Sequence, residues 1–181
     1  MSRFVALLRG VNVGRAKRVH MAELRKLLEK LGYSAVQTLL NSGNVVFEST
    51  GRSTSAHATR IRAALGETLG IEVPVIVKSS KEMAALEAEN PLATVATDSS
   101  RLLVAFTGDS TGLRTLATLL PLVKEPDQVV LGEQAIYLWC PNGILESRAA
   151  KALLGRFAGT ATTRNWATVT KITALLRHKA A

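Results

Sequence analysis

A single cysteine, Cys140, in a chain of 181 residues rules out an internal disulfide framework and a thiolate zinc site. Its neighbours Trp139 and Pro141 suit a buried structural thiol better than a nucleophile. Long apolar runs are missing as well, since no stretch reaches the roughly 20 residues needed to cross a bilayer. The short run in MSRFVALLRG is interrupted by Arg9 and is followed by no small-residue cleavage site, which excludes a secretory signal. These absences predict a cytoplasmic protein with no membrane partner. Only five prolines and no low-complexity segment exclude a linker-dominated or disordered chain. Aromatics make up 4% of the residues, leaving few rings to stack on bases. Acidic residues are the minority charge, 14 Asp/Glu against 23 Lys/Arg, and the net charge of +9 points to an anionic partner. The excess is no tail: residues 1–90 carry 13 basic against 8 acidic groups, and residues 91–181 carry 10 against 6.

What is present is a compact, 47% hydrophobic chain long enough for one large domain or two small ones. Arg3–Leu8 is a short apolar run that predicts a buried strand. The spacing of Met21, Leu24, Leu27, Leu28 and Leu31 predicts one face of a helix, stopped by Gly32. Ala35–Leu40 and Asn44–Glu48 flank Ser42-Gly43 and predict a hairpin; Ser55–Leu69 follows as a helix and Glu72–Lys78 as a strand. After a helical stretch, Lys81–Glu89, the order returns. Arg101–Phe106 is a strand, Thr111–Leu120 a helix, Gln128–Leu131 and Ile136–Cys140 a hairpin, Glu146–Phe157 a helix and Ala161–Thr163 a strand. A closing helix runs over Trp166–Lys179. The predicted fold class is therefore α+β: two ferredoxin-like βαββαβ units in tandem with an extra C-terminal helix. The units are expected at 1–79 and 100–181, joined by a helical connector over 80–99. The repeat is one of architecture, because the residues themselves do not visibly repeat.

Right-handed crossovers make the first and second strands of such a unit parallel, so the loops that follow them share one edge. That edge gathers Arg9, Gly10, Asn12, Gly14, Arg15, Lys17 and Arg18 from the first loop and Asn41, Ser42, Gly43 and Asn44 from the hairpin turn. Gly10 and Gly14 permit positive φ and hence backbone amides that converge on an anion; the helix that follows adds its positive end, and the basic residues add full charges. The loop is not a Walker motif: three residues separate the two glycines and no Lys-Ser or Lys-Thr follows. The competing reading is that glycines and asparagines only shape the turns while the basic side chains are solvated. A second group, Arg164, Asn165, Trp166 and Lys171, lies where the last strand passes into the closing helix. It either binds phosphate and stacks a base, or is structural, with Asn165 as helix cap and Trp166 packed inside. No Asp/Glu/His set has metal-ligand spacing, no cofactor motif is present, and Ser42, Ser147 and Cys140 lack an activating partner. His20 adjoins the edge, His57 is expected on a polar helix face, and His178 lies in the tail.

The blocks LRGVNVG, NSGNVVF, MAELRKLLEKLG, PNGILESR and TTRNWATVTKI, in that order and over nearly the whole chain, resemble the domain-of-unknown-function family 1697 of small bacterial proteins. The resemblance implies a two-part α/β fold of duplicated ferredoxin-like units and brings no established reaction. This chain departs from the family pattern at Arg15 and Ala16, where a further glycine and an asparagine are usual, and at His20, where a proline is usual. It also has Ser147-Arg148 in place of a serine-lysine pair. Three functions follow from the residues. The first is recognition of nucleic acid or a nucleotide at the glycine-asparagine edge. The second is an enzyme or sensor for a small phosphorylated or carboxylated metabolite, bound where the two units meet. The third is an interaction module, possible as a homodimer, whose apolar sheet faces meet a partner.

Overall fold

The computed structural model describes residues 1–12, 17–157 and 159–178. These divide into two compact units. The first comprises Met1–Met83 together with the segment from Ile172 onward, and the second Ala84–Lys171.

The first unit is built from β1 (Ser2–Leu8), α1 (Met21–Lys30), β2 (Ser34–Leu39), β3 (Asn44–Ser49), α2 (Thr54–Leu69), β4 (Val75–Ser79) and the start of α3 (Ser80–Glu89). Its sheet has the order β2-β3-β1-β4, and every neighbouring pair is antiparallel. This is the ferredoxin-like arrangement, with β1 and β3 central. Strand alternation sends Phe4, Ala6, Leu8, Val45 and Phe47 to the helical side, where they meet Leu24, Leu27 and Leu28 of α1 and Ile61, Ala64 and Leu65 of α2. Val5, Leu7 and Val46 alternate to the other side and are buried as well. The central strands thus read as continuous apolar runs because neither face meets water.

His57 does not lie on a polar face. It is 7% exposed, and the inward stripe of α2 is His57, Ile61, Ala64 and Leu65, so the imidazole takes the first place in an apolar row. Its Nε2 donates to the Gly51 carbonyl at 3.2 Å, which leaves Nδ1 to accept from the Tyr33 hydroxyl at 2.9 Å. Phe4 and Phe47 meet it edge-on. Both polar atoms are satisfied, which is what makes a buried histidine tolerable.

The second unit repeats the plan with β5 (Leu102–Thr107), α4 (Ser110–Ala117), β6 (Gln128–Leu131), β7 (Ala135–Trp139), α5 (Arg148–Leu154) and β8 (Ala161–Asn165), in the sheet order β6-β7-β5-β8. Helix α6 (Trp166–Arg177) closes the chain. Several helices are shorter than periodicity predicts, each for a local reason. Helix α4 stops at Ala117, and a 3₁₀ turn over Leu120–Leu122 takes Pro121. Helix α5 starts at Arg148 because the Ser147 hydroxyl caps the Ala150 amide. The turn between β2 and β3 is also longer than the two residues expected, running from Leu40 to Gly43 with φ of 57° and 75° at its ends. The expected strand Glu72–Lys78 starts only at Val75; just before it the Pro74 carbonyl accepts from the Arg9 amide.

Candidate functional site

The end of β1 and the turn after β2 meet, as the crossover argument requires. The Leu8 amide donates to the Gly43 carbonyl at 2.8 Å. Gly43 is required there twice over: its φ is +75°, and a Cβ would come within 2.6 Å of Val11 and 2.8 Å of Leu8. Gly10, at φ +63° with open space around it, is required only for its backbone conformation.

Asn12 organises the loop. It adopts φ 57°, a conformation that asparagine tolerates better than most residues. Its amide nitrogen donates to the carbonyls of Val19 and Asn41, both at 2.8 Å, while its Oδ1 accepts from the Val19 amide at 2.9 Å. One side chain therefore ties the loop to itself and to the neighbouring turn. Asn44 does similar work inside the turn, fully buried, donating to the Leu39 carbonyl and the Ser42 hydroxyl. The side chains of Asn12 and Asn44 are thus committed to shaping the edge.

The cations divide in the same manner. Arg9 is half-buried, and desolvation holds its guanidinium below the usual arginine range. Lys17 donates to the Glu72 carbonyl. Arg18 is exposed, and its guanidinium has no hydrogen-bond or ion-pair partner among the described residues. The same holds for the side chains of His20 and Asn41. His20 occupies the N-cap position of α1 without making a capping bond. These three, with Asn12, Val19 and Met21, line a pocket of about 210 Å³ at the start of α1. Gly14 and Arg15 lie outside the described residues.

Residues 1–137 match the family described as Protein of unknown function (DUF1697). The chain belongs to that family. Among solved structures, this DUF1697 chain is similar to the conserved bacterial protein SP0830 from Streptococcus pneumoniae, with 26% identity and a TM-score of 0.80. The likeness covers 97% of this chain and 99% of that one. No curated protein matches it.

The second group of expected site residues in the DUF1697 chain belongs to the other unit, and two of its members, Arg164 and Trp166, are buried. Trp166 is 9% exposed, so its ring has no open face for a base. Arg164 is buried and donates to the Thr162 hydroxyl and the Thr163 carbonyl. Asn165 caps α6 by accepting from the Thr168 amide at 2.9 Å. Only Lys171 is exposed. The structural reading of this segment is the one its contacts support. Cys140 is buried too, and burial pushes its thiol up to about 11 against a weaker opposing hydrogen bond from Ser147. Among the described residues no group of three or more His, Cys, Asp or Glu is gathered to hold a metal, and no helix is long and apolar enough to cross a membrane.

Sequence reasoning did not include His20 and Met21 in the site. The available signal was the cap position: a histidine stands where Ser, Thr, Asp or Asn would satisfy the first turn, which leaves the imidazole free for other use.

Proposed function

We propose that the edge formed by residues 9–12, 17–20 and 41–44 binds a phosphate-bearing anion, with nucleic acid ahead of a nucleotide or another phosphorylated small molecule. The observation that carries this reading is the pocket in which Arg18, His20 and Asn41 present side chains with no partner among the described residues, at the positive end of α1. Its size supports the order of preference. At about 210 Å³ it falls below the roughly 300–1,000 Å³ that encloses a whole small-molecule ligand. It suits one phosphoryl group and its neighbours, the rest of the ligand continuing over the surface.

The test is a fluorescence-anisotropy titration of short single-stranded RNA and DNA at low and physiological salt, comparing wild type with an Arg18→Ala, Asn41→Ala variant. Binding that salt weakens and the variant reduces about tenfold supports the reading. Absence of binding by the wild type removes nucleic acid. Binding to which the variant is indifferent removes the edge.

A further inference from the structure

The positive charge, evenly spread along the sequence, is unevenly spread in the fold. The first unit holds 15 Lys/Arg against 6 Asp/Glu, and the second 8 against 8. The whole excess of +9 therefore belongs to the unit that carries the pocket.

Within that unit the sheet cannot serve as the nucleic-acid platform. Phe4 and Phe47, the aromatics of the central strands, are 1% and 0% exposed beneath α1 and α2, and the opposite face is buried as well. What remains for a polyanion is the helical layer. On α1, Arg25 is committed to Glu29 at 2.8 Å. Lys26 and Lys30 stand one turn apart, exposed, with no carboxylate or other partner among the described residues. They flank a groove of about 140 Å³ between α1 and α2, closed by Glu23, Leu27, Thr68 and Leu69, whose surface is almost entirely apolar. Two unpaired ammonium groups beside an apolar floor match a chain that carries phosphates on one side and flat rings on the other. A duplex keeps its rings stacked inside and cannot offer them to this floor.

We infer that a single-stranded nucleic acid follows the outer face of α1, from the Arg18 pocket to Lys26 and Lys30, with a base laid in the groove between α1 and α2. The inference rests on the proposed phosphate edge and extends it from a point to a track. Lys26 and Lys30 each neutralise a phosphate, and Leu27 and Leu69 supply the apolar contact.

The experiment uses the full chain and short fluorescein-labelled oligothymidine, with affinity measured against potassium chloride concentration. Compared with wild type are Arg18→Ala, the pair Lys26→Ala with Lys30→Ala, and the pair Arg148→Ala with Lys151→Ala, two exposed cations of the second unit. The inference predicts that the Lys26/Lys30 variant loses about tenfold in affinity and that its log–log salt slope falls by about 1.4, two single-strand phosphate contacts. The Arg148/Lys151 variant, which removes the same net charge, should bind as wild type. A Lys26/Lys30 variant with unchanged affinity and slope, beside a weakened Arg18→Ala, would overturn the track and leave the edge standing. No binding by the wild type overturns both. Displacement of the oligonucleotide by poly-glutamate at equal charge would overturn the nucleic-acid assignment in favour of an acidic protein partner.

Discussion

Asn12 shows how one residue can hold a pocket together through its own hydrogen bonds. Its three side-chain hydrogen bonds and positive φ hold the pocket's two walls together. Asn12→Ala removes all three bonds and strains the backbone, and should lower stability by about 2 kcal/mol in urea unfolding. Arg18→Ala, which breaks no side-chain bond among the described residues, should stay within about 0.5 kcal/mol of wild type. The contrast separates loss of binding through misfolding from loss through charge. Cys140 tests the other extreme, a group the fold withdraws from chemistry. With the thiol raised to about 11, the thiolate is disfavoured at every pH below that value. A thiol reagent at pH 8 should leave the native protein unmodified and should react fully once urea unfolds it.

At the scale of elements, Arg3 links the beginning of the chain to its last helix. Its side chain, 11% exposed, pairs with Glu48 at 3.0 Å and donates through Nη1 to the carbonyls of Leu175 and Leu176. Those carbonyls belong to the final turn of α6, where the helix has no N–H donors of its own left to offer them. Arg3→Ala should destabilise the protein by about 1–2 kcal/mol and should raise amide exchange selectively in the last turn of α6. No sequence pattern announces this bond, because the partners are 172 residues apart and one of them is backbone. What was legible were the periodic features: Leu24, Leu27 and Leu28 place α1, and the apolar run of β1 places a central strand. The crossover rule also brings the loop after β1 to the 41–44 turn, where Asn12 bonds the Asn41 carbonyl. What pattern could not separate was the residues that bond within that edge from those whose side chains make no bond among the described residues. Asn12, Asn41 and Asn44 are chemically identical, and only their directions distinguish a clasp, a presenting side chain and a turn former. The burial of His57 is hidden from the sequence for a related reason, since polarity does not predict exposure when two partners satisfy both ring nitrogens.

For the molecule as a whole, charge and fluorescence happen to fall on different units. Trp139 and Trp166 both belong to the second, which is electrically neutral, while the first carries +9. Raising sodium chloride from low to physiological concentration screens like-charge repulsion only where an excess exists. Amide protection in β1, β3 and β4 should therefore rise with salt, while the unfolding midpoint followed by tryptophan fluorescence should stay fixed. The division into units has one more consequence, for the order in which the chain becomes itself at the ribosome. The second unit is continuous, Ala84–Lys171, and every residue it needs has been synthesised once Lys171 is added. The first unit, although begun first, includes the segment from Ile172, and Arg3 waits for the carbonyls of Leu175 and Leu176. The part of the protein that is synthesised earliest is thus the part that is finished last.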